Sequence, residues 1–171
     1  MADKENSPEG TTTKEKLKFS DKTMAEFEHL VTRYPERRAA LLPTLRLIER
    51  DFGHISDEGM VLAAELIGVS PAYVMGVVTF YTHYLRPSDG KYVIELCRTL
   101  PCALRGADAL ADHACKKLGL GLGETSEDRK FTIKSVECIA ACGYGPAMQL
   151  NGTYHEHLTF EKFDEIVDNL E

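Results

Sequence analysis

Two pairs of cysteines, Cys97-x4-Cys102 and Cys138-x3-Cys142, hold most of the chemistry that this sequence can offer. Thiolates ligate iron–sulfur clusters and zinc. Each pair falls where an expected strand gives way to a loop, so two loops can turn four sulfurs toward one centre. Structural zinc sites usually include a Cys-x2-Cys knuckle, which wraps a single metal, and a tethered redox disulfide has the same spacing. Neither pair here has it. The spacing therefore favours a [2Fe–2S] cluster, with zinc as the competing occupant.

The flanking residues fit a cluster better than a lone zinc. A [2Fe–2S] core held by four thiolates is anionic, so nearby dipoles suit it and nearby carboxylates do not. The first loop reads Arg98-Thr99-Leu100-Pro101, and a helix N-terminus expected at Cys102 would aim free N–H groups at the site. Gly143-Tyr144-Gly145-Pro146 follows the second pair, and glycines there let backbone N–H groups approach sulfur. Leu96, Leu100, Ile139 and Ala140 are expected to keep water away. Arg105 reads as ordinary surface charge, and Cys115 as a buried structural thiol. His155 and His157 lack a third ligand and read as surface histidines. Phe80, Tyr81, His83, Tyr84 and Leu85 crowd one helix end, which suits either internal packing or a partner surface. No Ser-His-Asp set, paired carboxylates or Gly-x-Gly-x-x-Gly stands out, so no catalytic centre or dinucleotide site is expected.

The elements that must position these residues fall into three stretches. Residues 1–20 are polar and without apolar period, which predicts a mobile tail. Residues 21–86 read as a helical bundle. Its first helix carries Phe27, Leu30 and Val31; its second carries Leu41, Leu45, Ile48 and Phe52, with Pro43 implying a kink or a later start. Ser56 caps a third helix with Met60, Ala63, Ala64 and Ile67 inward, and Ser70-Pro71 opens a fourth that buries Val74, Val77, Val78 and Tyr81. The turn cluster Pro87-Ser88-Asp89-Gly90 is the expected boundary. Residues 90–171 then change period. Tyr92, Ile94 and Leu96 alternate in a strand ending at Cys97, and a helix runs from about Ala103 to Leu118. A second strand enters Cys138, Asn151-Gly152 marks a type I′ hairpin, and Thr159 caps a last helix. The order β-α-β then β-β-α is compatible with an α+β, thioredoxin-like layer of helices on a mixed sheet.

At 171 residues the chain has room for one domain or two small ones. A net charge of −7, with acidic residues spread along the chain, argues against a nucleic-acid binder. No apolar run approaches the roughly 20 residues of a membrane span. The N-terminal MADKENSPEG lacks the pattern of a secretory signal, and cysteines without one predict ligands in a reducing, cytoplasmic setting.

With these residues in place, the chain resembles a family of small bacterial NADH–quinone oxidoreductase components, the thioredoxin-like [2Fe–2S] subunits of respiratory complex I. The resemblance covers about Asp21 to Leu170. It rests on Cys97-Arg-Thr-Leu-Pro-Cys102-Ala-Leu-Arg-Gly106 and on Val136-Glu-Cys138-Ile-Ala-Ala-Cys142-Gly-Tyr-Gly-Pro146. Val77-Val-Thr-Phe-Tyr81, Leu42-Pro43 and Phe52-Gly53 add weaker support. The resemblance implies an N-terminal helical bundle and a thioredoxin-like ferredoxin domain, with Cys97, Cys102, Cys138 and Cys142 as cluster ligands. It also implies a larger partner subunit that binds NADH and FMN and exchanges single electrons with the cluster, in the cytoplasmic arm of a membrane-bound complex. The homologous small subunit of a soluble NAD-linked hydrogenase or formate dehydrogenase would share every motif. A zinc-stabilised interaction module and a free-standing ferredoxin are weaker alternatives. Ile139-Ala140 stands where the family commonly has Leu-Gly, and Ala there is expected to adopt an ordinary backbone angle.

Overall fold

The computed structural model describes residues 16–171, so most of the expected tail lies outside the described residues. Packing divides the chain between Val77 and Val78, earlier than the turn cluster at which the composition changes. Tyr84, ahead of that turn, is already buried and packs edge-on against Tyr81.

The first unit is helical. Helix α1 (Asp21–Val31) starts at Ser20, whose hydroxyl accepts the Thr23 N–H at 3.2 Å. Phe19, which the polar composition assigns to the tail, is buried and stacks on Phe52. A 3-10 turn (Arg37–Ala40) leads into α2 (Leu41–Phe52). Pro43 sits in the first turn of α2, where its missing N–H costs little, so the helix starts ahead of it. Helix α3 (Asp57–Ile67) is capped by Ser56 as expected, and α2 and α3 both stop at left-handed glycines, Gly53 and Gly68. Phe27, Leu45, Ile48 and Ile55 are fully buried. Helix α4 (Pro71–Phe80) buries Val74 and Val78, whereas Val77 is half-buried and Tyr81, just beyond it, is exposed. The expected four-residue inward face is therefore a two-residue one. Among the described residues, no single helix is long and apolar enough to cross a membrane.

The second unit, Val78–Glu171, is a mixed sheet with helices, hence α+β. Its elements are β1 (Tyr92–Cys97), the single turn α5 (Leu100–Ala103), α6 (Ala107–Leu118), β2 (Phe131–Val136), β3 (Met148–Leu150), β4 (Thr153–His155) and α7 (Phe160–Asp168). The strand order is β2-β1-β3-β4, with β1 and β2 parallel and the other pairs antiparallel. Since β1 is paired on both sides, Val93 and Glu95 are buried along with Ile94 and Leu96, so its sequence alternation does not separate a wet face from a dry one. Asn151 and Gly152 both have positive φ, as a type I′ turn requires. The core combines Ile94, Leu96 and Ile133 from the sheet with Leu110 and Ala114 from α6 and Phe163 and Val167 from α7. Cys115 packs against that core, half-buried, and burial pushes its thiol above the usual range.

Candidate metal centre

The parallel register decides where the cysteines meet. Cys97 at the end of β1 pairs with Val136 at the end of β2, and the Arg98 N–H continues the pairing to the Val136 carbonyl at 3.0 Å. Both following loops therefore leave the same end of the sheet. Residues far apart in sequence become neighbours because their strands run side by side.

The first pair is deeply set, Cys97 being 2% and Cys102 1% exposed. Thr99 is the N-cap of α5, and the Cys102 N–H already donates to the Thr99 carbonyl at 2.9 Å. The expected helix N-terminus at Cys102 is thus corrected. The turn begins two residues sooner, helped by Pro101 in its first positions. The Thr99 hydroxyl instead lies 3.2 Å from the Cys97 sulfur.

The second pair is exposed, with its two sulfurs 3.4 Å apart. The Ala140 N–H donates to the Cys138 sulfur at 3.3 Å. To do so Ala140 takes a φ of 64°, in the left-handed region. The expectation of an ordinary angle there is overturned: a β-carbon in this region crowds the neighbouring carbonyl, which glycine would avoid. The Tyr154 hydroxyl donates to the Ile139 carbonyl at 2.8 Å and anchors the loop from β4.

Two contacts join the loops. Arg105 Nη1 donates to the Gly143 carbonyl at 3.0 Å and to the Gly145 carbonyl at 3.3 Å. Its surface-charge reading is corrected, because the guanidinium ties the first loop to the second. Gly145 approaches Cys102 so closely that a β-carbon would lie 2.9 Å from its sulfur. Glycine is needed here for room, its φ of −68° being ordinary. Arg98 stays at the surface, paired with Glu137 at 2.6 Å. The expected water barrier is incomplete: Leu96 is buried and Ile139 half-buried, but Ala140 is exposed and Leu100 is 70% exposed.

Each pair contains one thiol below and one above the usual cysteine range. Burial pushes Cys97 up, but the Thr99 hydroxyl, backbone N–H groups and Cys102 outweigh it and hold the thiol down. Cys102 is raised by burial and by Cys97. In the second loop the Ala140 N–H and Cys142 lower Cys138, while Cys138 and burial raise Cys142. Cys102 also feels Cys142, and Cys138 feels Cys97, so the sulfurs of both pairs share one electrostatic neighbourhood.

This donor set fits a two-iron cluster. All four candidate donor atoms are soft sulfurs, gathered two by two with N–H and O–H donors beside them. Thr99, Arg105 and Tyr154 are contributors that the spacing of the cysteines does not reveal. Thr99 carries one sequence signal, a hydroxyl residue at the strand-to-helix junction, whereas Arg105 and Tyr154 carry none. His155 is half-buried and His157 meets the edge of Tyr144, the two rings 5.4 Å apart.

A family model for thioredoxin-like [2Fe–2S] ferredoxins matches residues 27–171. Among curated proteins, the chain is 36% identical over 143 residues to a Mycobacterium bovis protein named as a subunit of NADH-quinone oxidoreductase. That match covers 84% of this chain and 57% of the mycobacterial one, so this chain spans little more than half of that relative's length. A Rickettsia conorii protein of the same name is 37% identical over 156 residues, covering 90% of this chain and 93% of its own. Among solved structures, an NAD+-reducing [NiFe]-hydrogenase shares the fold, with a TM-score of 0.64 at 16% identity over 74% of this chain and 22% of the other.

Proposed function

This chain belongs to the thioredoxin-like [2Fe–2S] ferredoxin family, and from that premise we propose that it is an electron-transfer subunit of an NADH–quinone oxidoreductase, with Cys97, Cys102, Cys138 and Cys142 holding one [2Fe–2S] cluster. The observation that carries this reading is the convergence of two sulfur pairs at one end of the sheet, one pair from each strand-end loop. When bound, the cluster supplies a site that gains and loses one electron. The chain's own residues do the rest. Cys97 and Cys102 anchor the site inside the fold, while Arg105 and Gly145 hold the second loop against the first. Cys138 and Cys142 are exposed, and the exposed Leu100, Leu104, Tyr144 and Tyr154 belong to the two cysteine loops or, for Tyr154, bond to the second. Such an apolar rim suits a docking partner, since aromatic and aliphatic anchors dominate protein interfaces.

The partner in this reading is the subunit that binds NADH and FMN, and the location is the cytoplasmic arm of the complex. Hydride chemistry belongs to that partner. The runner-up, the small subunit of a soluble NAD-linked hydrogenase or formate dehydrogenase, has the same residues and draws support from the hydrogenase fold likeness. Isolation of the native assembly tests both. Equal iron and acid-labile sulfide in this chain, a paramagnetic signal after dithionite, and a flavoprotein with quinone reductase activity are expected. A hydrogenase or formate dehydrogenase centre in the assembly selects the runner-up. Stoichiometric zinc without iron overturns both.

A further inference from the structure

The Ser and Thr hydroxyls that open helices here have a common task, and Thr99 departs from it. Ser20, Ser56, Ser70 and Thr159 each accept a backbone N–H from the first turn of their helix. Thr99 occupies the same position before α5, with extended backbone angles, yet its side chain makes no capping bond. The N–H groups of that turn are met by the Thr99 carbonyl instead, from Cys102 at 2.9 Å and Ala103 at 3.0 Å. Its hydroxyl is released from capping and lies 3.2 Å from the Cys97 sulfur.

A metal-bound thiolate sulfur can only accept a hydrogen bond, so toward such sulfurs the hydroxyl is the donor. A donor beside sulfur stabilises negative charge, and reduction adds negative charge. The β-branch of threonine restricts its rotamers and helps hold the hydroxyl in this direction.

We propose that Thr99 is a positioning residue of the metal centre whose hydroxyl donates to the Cys97 sulfur and thereby raises the reduction potential. This deepens the proposed function and rests on its reading of a [2Fe–2S] cluster. The Ala140 N–H plays the matching part at Cys138 but comes from the backbone, so Thr99 is the donor that substitution can remove.

The test is a redox titration of the reconstituted full chain, followed by visible absorption and by the paramagnetic signal of the reduced state. Thr99→Val removes the hydroxyl and keeps the branched shape, Thr99→Ala removes both, and Thr99→Ser keeps the donor. The expected result is that Val and Ala variants become about tenfold harder to reduce, equivalent to ~59 mV for one electron, while Ser stays near wild type. Failure of both hydroxyl-free variants to load, with Ser loading at the wild-type potential, also supports the assignment. Unchanged potentials in Val and Ala, or a Ser variant that shifts or loses the cluster as they do, overturn it. A wild-type chain with no [2Fe–2S] spectrum would instead remove the proposed function beneath it.

Discussion

Cys97 and Cys102 are almost inaccessible, whereas Cys138 and Cys142 lie open at the surface. The loops that carry them differ in construction as well. The first closes quickly into a helical turn in which the Cys102 and Ala103 N–H groups both donate to the Thr99 carbonyl. The second has a strained Ala140, a short 3-10 turn (Cys142–Tyr144), and ties borrowed from Arg105 and Tyr154. One loop is thus part of the folded core, and the other is held to it by contacts from outside its own segment. In the proposed function this asymmetry has a use: the buried pair would fix the centre in place, and the open pair would shorten the path to a partner.

The sharpest way to break that comparison is to replace the proposed ligands themselves. Cys97→Ser and Cys102→Ser are expected to abolish iron binding, because a serine oxygen inside the fold is a poor ligand that water cannot replace. Cys138→Ser and Cys142→Ser are expected to lower iron content and alter the visible spectrum while retaining part of the metal. Cys115→Ser should leave both unchanged, since that thiol packs against the hydrophobic core. Iron and sulfide analysis beside the absorption spectrum checks all five; equal loss from both pairs would erase the distinction.

Gly145→Ala probes the point where the loops touch. The added carbon would sit 2.9 Å from the Cys102 sulfur, and the expected cost is about 1–3 kcal/mol of stability in urea unfolding of the apoprotein. An unchanged midpoint would mean that the second loop is free to move away from the first.

The smallest effect has the opposite sign. Ala140→Gly relieves left-handed strain of ~1–2 kcal/mol but adds unfolded-state entropy, leaving a gain of roughly 0.5–1 kcal/mol. The same urea experiment reads it. A loss of stability on this change would show that the second loop is no more strained than the first.

Much of the second unit was legible because its signals are local. Asn151-Gly152 forms the expected hairpin since both residues tolerate positive φ, and Thr159 caps α7 through its own hydroxyl. The first unit was read nearly as well, with Ser56 and Gly68 bounding α3. Several of the differences fall where a residue's surroundings come from elsewhere in the chain. Val93 and Glu95 are buried because β1 gained neighbours on both edges. Phe19 is buried because Phe52 offers it a ring to stack on.

The amino-acid sequence by itself determined the candidate donor set, since residue type and spacing set which atoms each loop can present and how tightly each pair can close. It also determined most element boundaries, because caps, turns and apolar periods act within a few residues. The tertiary structure alone decided that Cys97 and Val136 share a register, that Arg105 reaches the Gly143 and Gly145 carbonyls, and that one sulfur pair is sheltered while the other is open. Those facts depend on which distant segments lie side by side, and solvent exposure is a property of the assembled fold that no short stretch of chain contains.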